Sequence, residues 1–371
     1  MTSNSVLERI QAAADAMPMD AEQDFMSELL KLRISVHDSY PPEICMLASQ
    51  GVGFFAKGDI HAIKAKQKQG KTWLIAICVA AILRGQWGTL TSDQLKAKIL
   101  VIDTEQKKAD TLNVYKKTLQ MAGLTEEDDF GRIETFALRS LSREQKMQAV
   151  ERLVVECQPD IVFIDGIVDL MGNFNEVEDS MAIIDRLMQL STPEVSGKEI
   201  AVVCVLHTNK SSEDHNMRGH AGTMLAQKAG TVIEVSKKDG IISVNNTDSR
   251  HREFPTWSFR FDQEGNICDA TEDFQAQQKA REQAKQQRAL QKKAEIEAER
   301  EQMVLDILKE ANGSIRKKDL AERLGQRLGK GRSTVYETIN GCIPTLIHED
   351  QHHMLVLSEN VKDNSQQMLP L

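Results

Sequence analysis

The sequence lacks the features that mark secreted, zinc-stapled or membrane proteins. Its six cysteines stand singly, with no C-x-x-C pair and no histidine beside them at zinc spacing. This pattern argues against a disulfide framework or a zinc site and is typical of buried thiols in a reducing compartment. The longest nearly apolar run, Trp73–Leu83, is far shorter than the roughly 20 residues that cross a bilayer. Since Met1–Ser5 shows no signal-peptide pattern, we expect a cytoplasmic protein without membrane attachment.

An excess of positive charge is also missing from the chain as a whole. The 371 residues include 46 Lys and Arg against 55 Asp and Glu, a net charge of −9, which argues against a nucleic-acid binder if the charge is evenly spread. It is not evenly spread, because residues 275–332 carry fifteen basic and nine acidic residues, a local excess of +6. The apolar fraction of 41% suffices for the cores of two or three domains.

Short apolar, β-branched runs alternate with longer amphipathic stretches between residues 44 and 271. The runs are Ile60–Lys64, Lys98–Asp103, Arg132–Phe136, Ile161–Asp165 and Ile200–His207, and helical patterns cover 71–84, 107–122, 142–157 and 177–191. Strands separated by helix-length connections predict an α/β domain with a mostly parallel sheet covered on both faces. After Gly222, closely spaced runs at Thr231–Ser236, Ile241–Asn246 and Thr256–Asp262, with a turn at Asp239-Gly240, predict an antiparallel extension at the sheet edge.

Helical segments flank this domain on both sides. Residues 1–43 carry two amphipathic patterns, Val6–Met17 and Ala21–Leu32, before the helix-ending pair Pro41-Pro42, and they predict an N-terminal helical appendage. Residues 272–300 contain no Gly or Pro and consist mainly of Ala, Gln, Lys, Glu and Arg. Such strong helix formers without an apolar stripe are more typical of a solvated connecting helix than of a binding surface.

Residues 301–358 predict a small separate domain, followed by a disordered tail at 359–371. Its expected elements are the helices Glu301–Ala311, Lys317–Leu328 and Ser333–Asn340, the last capped by Ser333, and a hairpin of Leu346–His348 with Met354–Leu357. Three helices followed by a two-stranded wing are the order of a winged helix-turn-helix.

A phosphate-loop pattern follows the run Ile60–Lys64 and precedes an apolar helix. The pattern G-x-x-x-x-G-K-[ST] is matched, except at its first position, by Ala65, Lys66, Gln67, Lys68, Gln69, Gly70, Lys71 and Thr72. In such a loop, backbone N–H groups wrap phosphate at a helix N-terminus, the lysine lies between the β- and γ-phosphates, and the hydroxyl binds Mg²⁺. The position between a buried strand and an apolar helix favours ATP and Mg²⁺ binding over a basic turn.

Carboxylates at strand ends are the expected partners of this loop. Asp165 ends the apolar run Ile161–Asp165 and is expected in the Mg²⁺ shell, with a strand-end cap as the alternative. Hydrolysis also needs a carboxylate that orients or deprotonates water. Glu105 and Asp169 are both candidates, and we favour Glu105 on the expectation that its strand lies next to the phosphate-loop strand; its alternative role is a helix cap.

In this order, the elements resemble the RecA-like ATPases, in particular the plasmid RepA-type and replicative hexameric helicases, over roughly residues 50–262. The resemblance implies a RecA-like P-loop core in which His207, at the end of the run Ile200–His207, senses the γ-phosphate. From the residues alone, a core histidine at a strand end is the favoured interpretation. Lys66 also has the spacing of the extra lysine in ParA/MinD-type partition ATPases, but Gln67-Lys68 replace their Gly-Gly.

The resemblance further implies contacts to DNA and to a neighbouring subunit. Single-stranded DNA is expected at loops 166–180 and 208–223, through Lys210, Arg218 and His220, the alternative being surface loops without a ligand. Arg250 and Arg252 resemble an arginine-finger segment that completes the neighbouring subunit's catalytic site in a homo-oligomer, expected to be a hexamer; surface salt bridges are the alternative.

The winged helix is expected to bind double-stranded DNA, with protein docking as the alternative. The candidate residues are Lys317, Lys318, Lys330, Arg332, Ser333 and Thr334. The sequence thus predicts an ATP-dependent motor acting on DNA, most specifically a RepA-type replication helicase or initiator. A non-unwinding DNA switch, a partition-like ATPase, and a regulator whose core senses nucleotide are the alternatives.

Overall fold

The computed structural model describes residues 25–27, 29–125, 131–172, 176–208, 217, 219–250 and 252–358. The chain forms two compact units, Met1–Asp269 and Ala270–Leu371. No helix in these described ranges is long and apolar enough to span a membrane. The expected helix Val6–Met17 and the expected tail 359–371 lie outside the described residues.

The first unit alternates strands and helices as the sequence predicts. Its strands are β1 (Cys45–Ser49), β2 (Val52–Ala56), β3 (Ile60–Ala65), β4 (Gln86–Trp87), β5 (Leu90–Thr91), β6 (Ile99–Asp103), β7 (Ile133–Ala137), β8 (Ile161–Asp165), β9 (Ala201–His207), β10 (Thr231–Lys238), β11 (Ile241–Ser249), β12 (Trp257–Phe261) and β13 (Ile267–Asp269). Its helices are α1 (Lys71–Arg84), α2 (Lys108–Ala122), α3 (Arg143–Cys157), α4 (Val177–Ser191), α5 (Pro193–Ser196) and α6 (Gly219–Lys228), with a 3-10 turn at Ile167–Leu170.

The main sheet has nine strands within the described residues, in the order β13-β12-β11-β10-β3-β9-β8-β6-β7. The six strands from β10 to β7 in this order run parallel. Both faces are covered: in β8, Ile161 and Phe163 belong to one hydrophobic core, while Val162 and Ile164 belong to the other. Alternate side chains thus enter opposite cores, which explains why the strands are continuously apolar and confirms the predicted mostly parallel sheet.

The antiparallel extension begins one strand later than the sequence predicts. β10 pairs with β3 in parallel, so it belongs to the parallel part of the sheet. It then turns at Asp239-Gly240 into β11, which runs antiparallel, and β12 and β13 continue in the same manner. Alternation along β10 is the same for either direction of pairing, so the pattern alone does not distinguish them.

The sequence reasoning missed a second, four-stranded antiparallel sheet in the order β2-β1-β5-β4. The rings of Phe54 and Phe254 lie 4.7 Å apart and help bury it. Two of its strands are two residues long, too short to show a periodic pattern.

The second unit combines three helices with a three-stranded antiparallel sheet in its described residues. Its elements are α7 (Thr271–Glu310), β14 (Ser314–Arg316), α8 (Lys317–Leu328), α9 (Arg332–Gly341), β15 (Ile347–Glu349) and β16 (Met354–Leu357), with the sheet order β14-β16-β15. The core packs Val304, Ile307 and Leu308 of α7 against Leu320 of α8 and Ile339 of α9.

Two expectations about this unit were wrong in detail. The expected connecting helix and the expected first helix of the domain are one continuous helix, α7, because the chain has no Gly or Pro between Phe274 and Glu310 to interrupt it. The helix ends before Asn312 and Gly313, both of which have positive φ. Ser333 does not cap α9: the helix starts at Arg332 after Gly331, and the Ser333 hydroxyl lies 3.3 Å from Glu337 Oε1.

Candidate functional site

The phosphate-loop residues form a tight turn from β3 into α1. Gly70 is the N-cap of α1 with φ of 100°, a conformation that other residues rarely adopt. Ala65, which stands where the pattern has its first glycine, is the last residue of β3 and has ordinary extended geometry. An alanine is therefore accommodated at this position. The turn itself comprises Lys66, Gln67, Lys68 and Gln69, and it aims the free N–H groups of the α1 N-terminus into a cleft.

Lys71 is a buried cation at the base of this cleft. Its Nζ donates to Lys66 O at 3.3 Å and to His207 Nδ1 at 2.9 Å, and burial lowers the pKa of the ammonium. Because an ammonium has no lone pair, His207 Nδ1 must be the acceptor, and the imidazole proton is then on Nε2. Ala65 pairs with His207 across β3 and β9, and this pairing brings the side chains of Lys71 and His207 together.

The expected Mg²⁺ ligands are also in contact. Thr72 Oγ1 donates to Asp165 Oδ2 at 2.7 Å. Burial raises the pKa of Asp165 to about 6, and the negative charges of Asp103 and Glu105 act in the same direction. A hydroxyl, a desolvated carboxylate and surplus negative charge form the oxygen-rich environment that suits Mg²⁺ when phosphates and water complete its shell, so these residues fit the metal.

Glu105 faces the same cleft from the opposite side. Its Oε1 lies 3.7 Å from His207 Nε2, and the His207 ring, followed by Lys71 and Lys146, holds the pKa of this carboxyl below its usual value against the effect of burial. Glu105 is not a helix cap, because the N-cap of α2 is Lys107; the backbone N–H groups of Glu105 and Gln106 donate to Asp103 Oδ1. The carboxylate is therefore ionised and free to meet a ligand.

The reason given for preferring Glu105 was wrong, although the residue is in the cleft. β6 is not next to β3; β9 and β8 lie between them. Glu105 reaches the cleft by crossing Gly166, at the end of β8, where φ is +101° and an added Cβ would lie 2.8 Å from Glu105 Cγ. Gly166 is thus a positioning residue that the sequence reasoning missed, and its signal is the glycine directly after Asp165.

The carboxylate of Asp169, the other candidate, pairs with a cationic side chain. Its Oδ2 accepts from Lys146 Nζ at 2.9 Å, and the same ammonium donates to Thr104 O at 3.3 Å. Since the Lys146 side chain is nearly buried, Asp169 neutralises a desolvated charge. This contact favours Glu105 as the residue that acts on water.

The cleft has a volume of about 370 Å³. Aromatic and aliphatic side chains join the polar ones in its wall, namely Trp73, Val114, Ile242 and Phe261. Lys237 also lines it, because the Lys237 N–H donates to Gln69 Oε1 at 2.5 Å and ties the β10–β11 hairpin to the phosphate loop. The sequence reasoning missed Lys237; its signal was the turn at Asp239-Gly240, which returns the chain to this edge of the sheet.

Arg250 and Arg252 are not brought to this cleft. Thr231 pairs with both Ser249 and His61, so the end of β11 is level with the start of β3, one strand away, and lies at the end of the sheet opposite the phosphate loop. Arg250 Nη2 donates to Lys228 O at 2.6 Å, and its Nη1 lies 3.9 Å from Asp59 Oδ2. Arg252 is exposed.

The expected DNA loops are only partly loops. Residues 167–170 form a 3-10 turn with Ile167 and Leu170 buried, and α4 begins at Val177. In the second segment, residues 219–223 are the first part of α6, which places His220 on an exposed helical turn. Lys210 and Arg218 lie outside the described residues, as do residues 173–175.

The expected duplex-binding residues lie around the starts of α8 and α9. Lys318, Lys330, Arg332 and Ser333 are exposed, and Thr334 is half-buried. Lys317 is half-buried, and its Nζ donates to Asn340 Oδ1 at 3.0 Å, which links α8 to α9. Lys317 therefore has an internal role in addition to its charge.

Part of the chain is similar to a known protein family. Residues 41–213 match the family described as an AAA domain. No curated protein sequence matches the chain. One matching solved structure is titled "Crystal structure of the RadB recombinase". The matched region is 16% identical in sequence, spans 58% of the present chain and 93% of the RadB chain, and has a TM-score of 0.42. The AAA match includes the phosphate loop, Glu105, Asp165 and His207, and it supports the predicted P-loop ATPase domain.

Proposed function

We propose that this chain is an ATP-driven motor that acts on DNA, of the RepA-type replication helicase or initiator class. The observation that carries the proposal is the convergence of four chain segments on one cleft. The phosphate loop, the residues after β6, and the ends of β8 and β9 supply Lys71, Thr72, Glu105, Asp165 and His207.

Each side chain has a role that follows from its position. The α1 N-terminus and Lys71 hold the phosphates, and Glu105 orients and deprotonates the attacking water. Mg²⁺, held by Thr72 and Asp165, would supply charge neutralisation on the phosphates when bound. His207 accepts a hydrogen bond from Lys71 and faces Glu105. When a bound nucleotide changes the contact between Lys71 and His207, the position of the His207 ring relative to Glu105 changes as well.

His207 also connects the cleft to the expected DNA segment. It ends β9, and Thr208 pairs with Met217 just before α6 begins. We propose that Lys210, Arg218 and His220 of the segment 208–223 contact single-stranded DNA through its phosphates. The nucleotide state would then reach DNA through one short stretch of backbone.

The second unit is proposed to be a winged helix that binds duplex DNA. The order of α7, β14, α8, α9 and the β15–β16 hairpin supports this assignment. The exposed cations near the start of α9 suit phosphate contacts, while Ser333 and Thr334 would approach base edges.

The position of Arg250 supports an action on a neighbouring subunit. It lies at the end of the sheet opposite its own phosphate loop, so it reaches a nucleotide only in an adjacent copy of the chain. We propose a ring, with six subunits as the expected number, in which Arg250 and Arg252 complete the next subunit's site.

Mixing two inactive variants tests this arrangement. Arg250→Ala and Lys71→Ala proteins should each show little ATPase activity, but an equal mixture should recover about a quarter of wild-type turnover. The recovery is expected because about one interface in four would combine an intact phosphate loop with an intact arginine. ATPase assays over a range of mixing ratios measure it; no recovery at any ratio would contradict action in trans.

The motor itself is tested by ATPase activity with and without single-stranded DNA and by strand displacement on a forked duplex. We expect single-stranded DNA to raise kcat about tenfold or more, because the conformational steps of an ATPase coupled to DNA are completed when DNA is bound. We also expect strand displacement to require ATP. Stimulated ATPase without displacement would instead favour the non-unwinding switch or partition-like ATPase. Operator-specific footprinting without either activity would favour the nucleotide-sensing regulator.

A further inference from the structure

The N-terminal part of α7 is an exposed helix surface. Residues 275–299 are all exposed, whereas Val304, Ile307 and Leu308 near the C-terminal end of the same helix are buried in the core of the second unit. The exposed stretch is therefore an extension of a folded unit, held in register by the last turns of α7.

Four basic side chains form a stripe along this extension. Arg281, Lys285, Arg288 and Lys292 are spaced i, i+4, i+7 and i+11, which places them within about 60° of arc and over about 16 Å of helix length. Glu282 is the single acidic residue between 275 and 294, and as the direct neighbour of Arg281 it points about 100° away from it. We call these four residues the basic stripe.

The charge pattern of the stripe differs from that of an ordinary solvated helix. Arg281 and Lys285, and likewise Arg288 and Lys292, are like charges at i and i+4, a spacing that destabilises a helix. Just beyond the stripe the signs do alternate, and Lys293 Nζ lies 3.9 Å from Glu297 Oε1. Among the described residues, Lys285, Arg288 and Lys292 form no ion pair. A linker that needed only helix stability would favour the alternating pattern throughout.

We propose that the basic stripe binds the phosphate backbone of duplex DNA, independently of base sequence. Duplex DNA carries one charge per about 1.7 Å of axis with both strands counted, so about 16 Å of duplex holds roughly nine phosphates, and four cations can neutralise up to four of them. An acidic protein is the less suitable occupant, because protein interfaces depend on aromatic or large apolar anchors. Apart from the stripe itself, the residues within its span are Ala and Gln, with Glu282 and a single exposed apolar side chain, Leu290.

This proposal extends the proposed function, since it takes DNA as the substrate, but it needs neither the ATPase site nor the base-edge contacts of α9. The stripe would act as a non-specific clamp beside the proposed winged helix. It revises the expectation that residues 272–300 are only a connector.

The test measures binding of the full-length protein to a fluorescent 40-base-pair duplex by anisotropy between 50 and 300 mM KCl. The double variant Arg288→Gln/Lys292→Gln removes two stripe charges, and Lys279→Gln/Lys293→Gln removes two charges from another face of the same helix. We expect the stripe variant to weaken binding about tenfold at 100 mM KCl and to reduce the slope of log K against log salt by about two, with less than a twofold effect of the control. Glutamine keeps helix propensity, and circular dichroism verifies equal helix content.

Three outcomes would overturn the stripe. These are an equal loss in both variants, no loss in the stripe variant, and a stripe-dependent affinity for poly-glutamate in place of DNA. A Lys330→Gln/Arg332→Gln variant separates the two proposals. If this variant loses duplex binding while the stripe variant does not, the winged helix binds duplex DNA and the basic stripe does not. If only the stripe variant loses duplex binding, the basic stripe binds duplex DNA and the winged helix does not.

Discussion

Lys71→Ala should lower ATP turnover at saturating ATP by about 10²- to 10³-fold or more, because it removes the cation best placed to stabilise charge on the transferring phosphoryl group. The ammonium is buried, with His207 Nδ1 2.9 Å away, so little water shields its charge from a phosphate in the cleft. Steady-state phosphate release and binding of a fluorescent ATP analogue would separate loss of turnover from loss of affinity.

The matched control for this variant is Lys96→Ala, which removes an exposed lysine of the same unit. It should leave kcat unchanged. Lys71→Ala should also keep the fold, because the change removes a desolvated charge and leaves only two acceptors, Lys66 O and His207 Nδ1, without this donor. Equal thermal unfolding midpoints would verify this. Normal turnover in Lys71→Ala would show that another cation, such as Lys68 or Lys237, holds the phosphates.

The parts of the site that could be predicted from sequence are those set by local pattern. A strand, a short turn and a helix fix the position of Lys71 and Thr72, and an apolar run fixes Asp165 at a strand end. These features depend on neighbours in the chain. Even the missing first glycine was harmless for a local reason, because Ala65 is the last residue of an extended strand.

The parts that could not be predicted depend on contacts between distant segments. The sequence does not reveal that Lys146 occupies Asp169, 23 residues away, nor that the strand order separates β6 from β3. Strand order follows from how helices cover both faces of the sheet, and local periodicity is the same for any order. Glu105 was preferred because β6 was expected beside β3, which is wrong. Its side chain reaches the cleft because Gly166 has no side chain in the way.

In the second unit, the sequence did not predict where the first helix begins and ends. Composition predicts helix over 272–300, and apolar spacing predicts it over 301–311, but nothing between these stretches stops the chain. A continuous helix is the result because helix propagation needs no new nucleus. Continuity matters for the proposed duplex binding, since it places the basic stripe in fixed register with the buried residues Val304 and Leu308.

Glu105→Gln should bind ATP with nearly unchanged affinity and lower kcat by about 10²- to 10⁴-fold, because the amide keeps the shape of the side chain and cannot accept a proton from water. The contact to His207 and the charges of Lys71 and Lys146 keep the pKa of Glu105 low, so the wild-type carboxylate is already ionised at neutral pH. Single-turnover hydrolysis would measure the chemical step, and nucleotide binding would be measured separately.

Asp169→Asn provides the comparison that decides between the two carboxylates. The Asp169 carboxylate faces Lys146 at 2.9 Å, so its loss should lower the free energy of unfolding, by about 1 kcal/mol given its partial exposure, and leave kcat within a few-fold. The two variants are therefore expected to differ in kcat: Glu105→Gln loses the chemical step, and Asp169→Asn loses stability at nearly constant chemistry. If Asp169→Asn lost turnover and Glu105→Gln did not, the attacking water would lie on the Asp169 side of the cleft, and the contact between His207 and Glu105 would be structural.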